Sequence, residues 1–185
     1  LVTDWGASVP TRILDLGCGP ADIPIRICQR FPSATVCALD GSRSMLALGG
    51  EARAAAGLPE RVSLVQAYLP DLPLVAGGFD AVISNSLLHH LADPMGLWRS
   101  IAGAGSSGAH VTVCDLRRPE SEAAAQRIVD DAGCSDSEIL RRDFYLSLLA
   151  AYTPDEVRAQ LHAAGLEQLD VQITSERHLL VSGRL

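Results

Sequence analysis

Short apolar runs alternate with longer stretches of helical composition along most of this chain. The apolar runs predict strands at about 12–16, 34–39, 61–66, 79–84, 109–115, 167–174 and 177–184. The stretches between them predict helices near 20–31, 42–57, 94–104 and 153–165. Strands that alternate with helices in this way are typical of an α/β fold with a mostly parallel sheet.

The carboxyl-terminal strands differ from the others because only residues 174–177 separate them. A connection this short predicts an antiparallel hairpin. The helix before them has its own boundary signals. Thr153 is a suitable amino-terminal cap, Pro154 suits the first helical position, and Gly165 suits the end of the helix.

Residues 117–150 exceed what a simple strand–helix unit needs. The ranges 120–132 and 138–151 both have helical composition, so the segment is predicted to be a helical insertion. Loops that follow the carboxyl ends of strands line the ligand crevice of an α/β sheet. The insertion is therefore interpreted as a lid or substrate wall, or else as a packed helical pair with no substrate role. Residues 103–108 are predicted to form a flexible loop.

The most specific local pattern is Ile13-Leu14-Asp15-Leu16-Gly17-Cys18-Gly19, a short apolar strand with an acid followed by a glycine turn. Two residues without side chains allow a sharp bend or the close approach of a ligand. Nucleotide-type cofactors bind at such turns. A dinucleotide fingerprint is incomplete because Asp22 stands where a third glycine is required, and no Gly-Lys-Ser/Thr follows for a Walker A motif. A tight turn without a ligand is the alternative.

The net charge of −7 argues against a nucleic-acid backbone as the main partner. All 15 basic residues are arginine, and the absence of lysine excludes Schiff-base, pyridoxal-phosphate and P-loop chemistry. Five cysteines show no C-x-x-C spacing, which favours a reducing, cytoplasmic compartment. No apolar run reaches membrane-spanning length and no signal peptide precedes the first strand, so no membrane partner is expected.

Four segments, in order, resemble the Rossmann-like (class I) S-adenosylmethionine-dependent methyltransferases. Residues 15–19 resemble the first motif of that family, and residues 35–42 with Met45-Leu46 resemble its second strand and continuation. Residues 71–73 with 79–84 resemble the fourth-strand region, and Leu88-His89-His90-Leu91 with Asp93-Pro94 the segment after it. The resemblance covers roughly the first two thirds of the chain. It implies a Rossmann-like three-layer α/β/α sandwich, formed as one domain over residues 1–185, with a mostly parallel seven-stranded sheet and a C-terminal antiparallel hairpin.

The resemblance implies S-adenosyl-L-methionine as cofactor and S-adenosyl-L-homocysteine as its product. Gly17, Cys18 and Gly19 would pack against the methionine portion, and Asp15 would lie beneath it and reach the amino group directly or through water. Asp40, followed by Gly41 and Ser42, would accept hydrogen bonds from the ribose hydroxyls. The alternative role for Asp40 is to cap the helix that follows. We also expect the family's contacts to the methionine portion at Asn85 and Ser86.

The adenine end departs from the family pattern. Family members commonly carry a Gly-Asp pair after the third strand, whose acid binds the adenine amino group; here the matching residues are Ala67 and Tyr68. We expect Tyr68 to stack or donate instead, and the backbone amide of Leu69 to contact the ring. Met45 would pack on the adenine face or belong to the core.

On the acceptor side, His89, His90 and Asp115 are the candidate catalytic residues. One histidine would act as a weak base while the other packs, or both would be structural. A metal site is not expected, because adjacent histidines on one helix point in different directions. Arg141 and Tyr145 are candidate substrate-binding residues. An arginine facing the cavity would favour a carboxylate- or phosphate-bearing substrate; a solvated helix face is the alternative.

The resemblance therefore implies in-line methyl transfer to a small-molecule acceptor. Two other hypotheses remain open: a non-catalytic S-adenosylmethionine-binding protein, and a nicotinamide oxidoreductase, which the missing third glycine disfavours. Family members often carry one or two helices before the first strand. This chain begins at Leu1 with about a dozen residues there, so we expect either a part of a longer protein or a naturally short form. The sequence leaves the oligomeric state open.

Overall fold

The computed structural model describes residue 5 and residues 9–73, 76–132 and 137–185. A short 3₁₀ turn, Leu88–His90, lies between the fourth strand and the third helix. The other elements in chain order are β1 (Arg12–Leu16), α1 (Asp22–Arg30), β2 (Thr35–Asp40), α2 (Arg43–Ala55), β3 (Val62–Gln66), β4 (Phe79–Asn85), α3 (Met95–Ala104), β5 (Gly105–Leu116), α4 (Glu122–Asp131), α5 (Glu138–Ala150), α6 (Pro154–Ala163), β6 (Asp170–Ile173) and β7 (His178–Arg184).

The strands form one seven-stranded sheet in the order β3-β2-β1-β4-β5-β7-β6. Strands β1 to β5 are parallel, and β7 runs antiparallel between β5 and β6. This confirms the predicted Rossmann-like α/β fold and its closing hairpin. The strand order reverses between β1 and β4, and ligands of open α/β sheets bind at the carboxyl ends of strands beside such a switch point.

Helices cover both faces of the sheet. One apolar cluster joins the strands to α1 and α2 and includes Ile25 and Cys28. The other joins them to α3 and α6 and includes Trp98 and Leu161. The Trp98 indole is fully buried, and its Nε1 donates a hydrogen bond to Gln160 Oε1 at 2.9 Å. Burial on both faces explains why the central strands have continuous rather than alternating apolar sequences.

The boundary signals of α6 are confirmed. The Thr153 side chain accepts a hydrogen bond from the Glu156 amide, and the Glu156 side chain accepts one from the Thr153 amide. Pro154 occupies the first turn, and Gly165 adopts a left-handed backbone with φ of 69° just beyond the helix. Local chemistry alone predicts both ends of this helix.

The predicted flexible loop at 103–108 is wrong. Helix α3 continues to Ala104, and β5 begins at Gly105 opposite Phe79, ahead of an irregularity in the strand register. A Cβ atom on Gly105 would lie 2.3 Å from the Leu185 side chain, so the glycine permits a close packing contact. Strand β6 is also shorter than predicted and begins at Asp170, because residues 167–169 turn after α6.

Helices α4 and α5 confirm the two helical stretches predicted between β5 and α6. They pack on each other around a small apolar cluster of their own, which comprises Leu116, Ala125, Ile128, Val129, Leu148 and Ala151. Residues 133–136, with Cys134, lie outside the described residues. The insertion therefore extends from the carboxyl end of β5, which is the side of the sheet where ligands are expected.

Candidate active site

A cleft of about 640 Å³ opens where β1, β2 and β4 end. It lies beside the switch point of the sheet, where the fold predicts a ligand. Its described lining residues are Gly17, Cys18, Gly19, Pro20, Asp22, Ile23, Arg26, Asp40, Met45, Asn85, Ser86, Leu87 and His90.

The glycine turn forms the floor of this cleft. The amides of Gly17 and Cys18 both donate to the Leu39 carbonyl, at 2.8 and 2.9 Å, and so tie the end of β1 to β2. Gly17 has a φ of 77°, and a Cβ atom there would lie 3.0 Å from the Leu87 side chain. Both the backbone conformation and the close contact with Leu87 therefore require glycine at this position.

Asp40 braces the turn from β2. Its Oδ2 accepts a hydrogen bond from the Gly19 amide at 2.8 Å, and its Oδ1 accepts one from the Ser42 amide at 2.8 Å. The Ser42 side chain in turn caps α2 by accepting from the Met45 amide. The capping alternative is wrong, because Ser42 and not Asp40 caps α2. Asp40 instead holds the Gly19 and Ser42 amides and lines the cleft, as the cofactor hypothesis requires.

Asp15 lies buried beneath the turn with a polar atom unused. Its carboxyl group is 1% exposed, and Oδ2 makes no hydrogen bond with any described residue. Burial, followed by the nearby negative charge of Asp40, raises the pKa of Asp15 to about 7. A buried carboxylate oxygen without a partner is costly, and a cationic ligand above it would relieve that cost.

Cys18 lines the cleft but is not a nucleophile. Burial raises the pKa of its thiol, and the charges of Asp15 and Asp40 raise it further. The protonated sulfur donates to the Gly19 carbonyl at 3.6 Å. Thiolate is the reactive form of cysteine, so this thiol is inert at neutral pH.

Tyr68 lies over Gly41 at the edge of the cleft. Its hydroxyl donates to the Gly41 carbonyl at 2.9 Å, and a Cβ atom on Gly41 would lie 2.7 Å from the ring. The tyrosine is 68% exposed. Met45 lines the cleft, whereas Tyr68 and Leu69 are not among its described lining residues. The roles of these three residues toward adenine remain predictions.

Asn85 and Ser86 line the opposite wall, directly after β4. Ser86 has a φ of 55°, which is uncommon outside glycine, and its amide donates to the Cys114 carbonyl at 2.9 Å. The Asn85 amide group donates to Ser86 Oγ at 3.1 Å. This bend leads the chain from β4 into the 3₁₀ turn Leu88–His90, called the histidine turn below.

Asp115 holds the histidine turn in place. Its Oδ2 accepts from the Leu88 amide at 2.7 Å, and Oδ1 lies 2.6 Å from His89 Nδ1 and accepts from the Leu116 amide at 2.8 Å. The side chains of His89 and Asp115 are 5% and 1% exposed. A carboxylate with this many partners orders the end of β5 and fixes the His89 ring.

His90 faces the cleft while His89 turns away toward Asp115. Both histidines lie in one 3₁₀ turn, and their ring centroids are 3.9 Å apart, although His90 and not His89 is among the described lining residues of the cleft. Burial, followed by the proximity of His89, lowers the pKa of His90. His90 is therefore neutral at neutral pH and has a nitrogen lone pair available to accept a proton.

Comparison with known proteins agrees with this geometry. A family model described as "Methyltransferase domain" matches residues 13–103. Residues 13–103 are therefore assigned to a methyltransferase domain. The class I resemblance stated from the motifs is confirmed, and the match covers β1 to α3, which build the floor and walls of the cleft.

Curated relatives match a little under half of the chain. Trans-aconitate 2-methyltransferase of Deinococcus radiodurans is 37% identical over 94 residues, which are 49% of this chain and 33% of that protein. Malonyl-acyl-carrier-protein O-methyltransferase of Legionella pneumophila is 36% identical over 80 residues, which are 43% of this chain and 27% of that protein. The chain spans about a third of the length of these relatives.

A solved structure extends the likeness of fold to nearly the whole chain. The S-adenosylmethionine-dependent methyltransferase from Aquifex aeolicus superposes with a TM-score of 0.70 and 16% identity, over 94% of this chain and 81% of that one. The likeness extends well beyond the length that the family model matches. At this identity it supports the fold and not the choice of acceptor.

The α4–α5 insertion stands beside the 3₁₀ turn Leu88–His90. Helix α5 packs against Leu88–His90, and the Tyr152 hydroxyl donates to the Leu91 carbonyl at 2.9 Å. Arg141 forms an ion pair with Asp130 on α4, and Tyr145 packs partly buried against the insertion's own apolar cluster. Neither is among the described lining residues of the cleft, so their substrate role remains a prediction.

Sequence analysis missed five lining residues: Pro20, Asp22, Ile23, Arg26 and Leu87. A signal for three of them was present, because positions 22, 23 and 26 share one face of the helix that leaves the glycine turn. Within the described ranges, no cluster of three or more His, Cys, Asp or Glu side chains is placed to hold a metal. In the same residues, no helix has the length and apolar character needed to span a membrane.

Proposed function

We propose that this protein transfers a methyl group from S-adenosylmethionine to a small-molecule acceptor bound beside His90. The observation that carries the proposal is an Asp15 oxygen that has no partner among the described residues and lies buried under a glycine turn next to Asp40. The cofactor offers a cationic amino group and a ribose diol, which match a buried carboxylate and a second carboxylate at the cleft wall. The residues present therefore fit this cofactor.

In this proposal, the main contribution of the protein is to position the cofactor and the acceptor relative to each other. The bound cofactor supplies a sulfonium methyl group that is already activated for displacement. Gly17 and Gly19 admit it close to the backbone, and Asp40 orients the ribose. Leu87 and His90 line the same cleft, where they would contact an acceptor aligned with the methyl group. Holding two reactants in this geometry supplies much of the rate acceleration.

His90 is the base in this scheme if the acceptor must lose a proton. It is the histidine in the cleft lining, and its lowered pKa leaves it unprotonated at neutral pH. His89 and Asp115 act through position, since their hydrogen bond is buried and fixes the turn that carries His90. A carboxylate acceptor is already ionised at neutral pH and needs no base, whereas a phenol does.

A small carboxylic acid is the first acceptor to test. The two curated relatives are named for trans-aconitate and for a malonyl group, and both compounds carry carboxyl groups. We extend that chemistry to this chain as part of the proposal, together with the predicted cytoplasmic location. A phenolic acceptor is the second class, and a rate that depends on His90 distinguishes it.

Calorimetric titration with S-adenosylhomocysteine tests the cofactor site, and transfer of a labelled methyl group tests the reaction. Micromolar binding by the wild-type protein, with methyl transfer to a carboxylic acid or phenol, supports the proposal. Binding without transfer to any acceptor supports the non-catalytic alternative. A thermal shift with NAD(H), but none with S-adenosylhomocysteine, contradicts the proposal and favours the oxidoreductase alternative.

A further inference from the structure

Arg26 is a positively charged residue of the cleft lining. It projects from α1 into the described cleft lining, where it is the single arginine. It makes no hydrogen bond or ion pair with any described residue. Five other arginines form ion pairs: Arg12 with Asp80, Arg99 with Asp93, Arg118 with Glu156, Arg141 with Asp130, and Arg158 with Asp155.

The nearest acid in sequence does not neutralise it. Asp22 lies four residues earlier on the same helix, at the spacing where opposite charges commonly pair, and also lines the cleft. No ion pair joins the two side chains. Among the described residues, nothing occupies the five N–H donors of the guanidinium, which suit a planar, bidentate acceptor such as a carboxylate.

The charges around the cleft indicate which ligand group Arg26 complements. Asp22 and Asp40 are the acids among the described lining residues, and Asp15 lies buried beneath the glycine turn. Asp15 and Asp40 suit the cationic and hydroxyl groups of a ligand, and His90 is neutral at neutral pH. The amino-acid portion of S-adenosylmethionine also carries a carboxylate, which Asp15 and Asp40 would repel. Arg26 supplies the complementary charge among the described lining residues.

We propose that Arg26 is the carboxylate-binding residue of this cleft. This inference rests on the proposed function. The carboxylate comes from the amino-acid portion of the cofactor or from an acidic acceptor, and both present the same group to the guanidinium. Loss of one charge-assisted, partly exposed contact weakens binding by about tenfold.

The experiment measures two ligands by calorimetry: S-adenosylhomocysteine, and its decarboxylated analogue S-adenosyl-3-thiopropylamine, which keeps the amino group. We expect the wild-type protein to prefer the carboxylated ligand, and Arg26→Ala to lose that preference by weakening S-adenosylhomocysteine alone. Arg26→Lys keeps the charge but not the bidentate geometry, so its affinity for S-adenosylhomocysteine should lie between those of the wild-type protein and Arg26→Ala. Arg30→Ala removes the same charge four residues along α1, outside the described lining, and serves as the matched control.

A second arm distinguishes the source of the carboxylate. If Arg26 receives the acceptor, Arg26→Ala leaves S-adenosylhomocysteine binding unchanged and weakens trans-aconitate binding to the S-adenosylhomocysteine complex. Unchanged affinity for all three ligands overturns the assignment of Arg26 and leaves the proposed function intact. Failure of the wild-type protein to bind S-adenosylhomocysteine overturns the proposed function, and this inference with it.

Discussion

The glycine turn and the α4–α5 insertion lie at the same edge of the sheet, yet they are built differently. The turn is enclosed by β1, β2 and β4, and its charged groups are buried or hydrogen-bonded to backbone amides. The insertion packs mainly around its own small cluster. It leaves Ile139 73% exposed and Leu140 56% exposed on α5.

This difference separates what the fold requires from what a particular acceptor requires. At the turn, backbone geometry and buried charge leave few alternatives for Gly17 or Asp40. On the insertion, surface ion pairs such as Arg141–Asp130 tolerate replacement. We therefore expect substitutions at the turn to have large effects on cofactor binding, and substitutions on the insertion to act on the acceptor or on nothing measurable.

The largest effect is expected for Asp15→Asn. Asparagine fills the same space but cannot pair with a cationic amino group, so S-adenosylhomocysteine affinity should fall about a hundredfold, or ~2.7 kcal/mol. Calorimetry at pH 8 measures this change. An affinity equal to that of the wild-type protein would show that Asp15 has no role toward the cofactor.

Although Asp15→Asn should weaken cofactor binding, it should stabilise the cofactor-free protein at high pH. The folded pKa of Asp15 is about 7, above the ordinary value of 3.8, so the folded state holds the extra proton between these values. The free energy of unfolding of the cofactor-free wild-type protein therefore falls as pH rises from about 4 to about 7. Asp15→Asn removes this contribution and should be the more stable protein above pH 7, as urea titrations at pH 5 and 8 would measure.

Asp115→Ala should mainly destabilise the fold. It leaves the buried amide of Leu88 and the His89 ring without their acceptor, at a cost of about 2–3 kcal/mol. Urea unfolding measures this loss. Asp93→Ala is the matched control, because Asp93 is exposed and both of its contacts, the ion pair with Arg99 and the hydrogen bond from the Met95 amide, lie at the surface. Equal losses in the two variants would contradict the positioning role of Asp115.

Asp40→Ala should weaken S-adenosylhomocysteine binding by more than 1 kcal/mol, or about tenfold. Two ribose hydrogen bonds are lost, and the Gly19 amide loses its acceptor. Calorimetry of the folded variant measures this change, with Asp155→Ala as a control for an exposed acid far from the turn in sequence. Unchanged affinity would leave Asp40 with a structural role alone, as the acceptor for the Gly19 and Ser42 amides.

The smallest effect is expected for Arg141→Ala. Its ion pair with Asp130 is partly exposed at both ends, so unfolding stability should change by less than about 1 kcal/mol, and cofactor affinity should not change. A raised KM for the acceptor at constant S-adenosylhomocysteine affinity would establish the predicted substrate role. A loss of cofactor affinity would contradict the separation between turn and insertion.

The sequence predicted the fold where local chemistry dominates. The acid–glycine pattern at residues 15–19 located the turn, and Thr153, Pro154 and Gly165 marked both ends of α6. It failed where the structure depends on distant contacts. Residues 103–108 look flexible from their composition, but pairing with Phe79 and contact with Leu185 draw Gly105 into β5.

The same distinction applies to the candidate site. Adjacent histidines did not reveal that His89 bonds to Asp115, since 26 residues separate them. Arg26 carries no motif, and it stands out only because the folded chain places it in the cleft without a described partner. Pairings across long sequence separations are set by tertiary packing, which single-sequence patterns do not encode.

A crystal structure of the protein with S-adenosylhomocysteine tests the central claim most directly. We predict the ligand in the cleft above the glycine turn, with its amino group bonded to Asp15 directly or through one water and its ribose hydroxyls on Asp40. Density for the ligand at another surface, or in the cleft with neither carboxylate in contact, would contradict the proposed cofactor site.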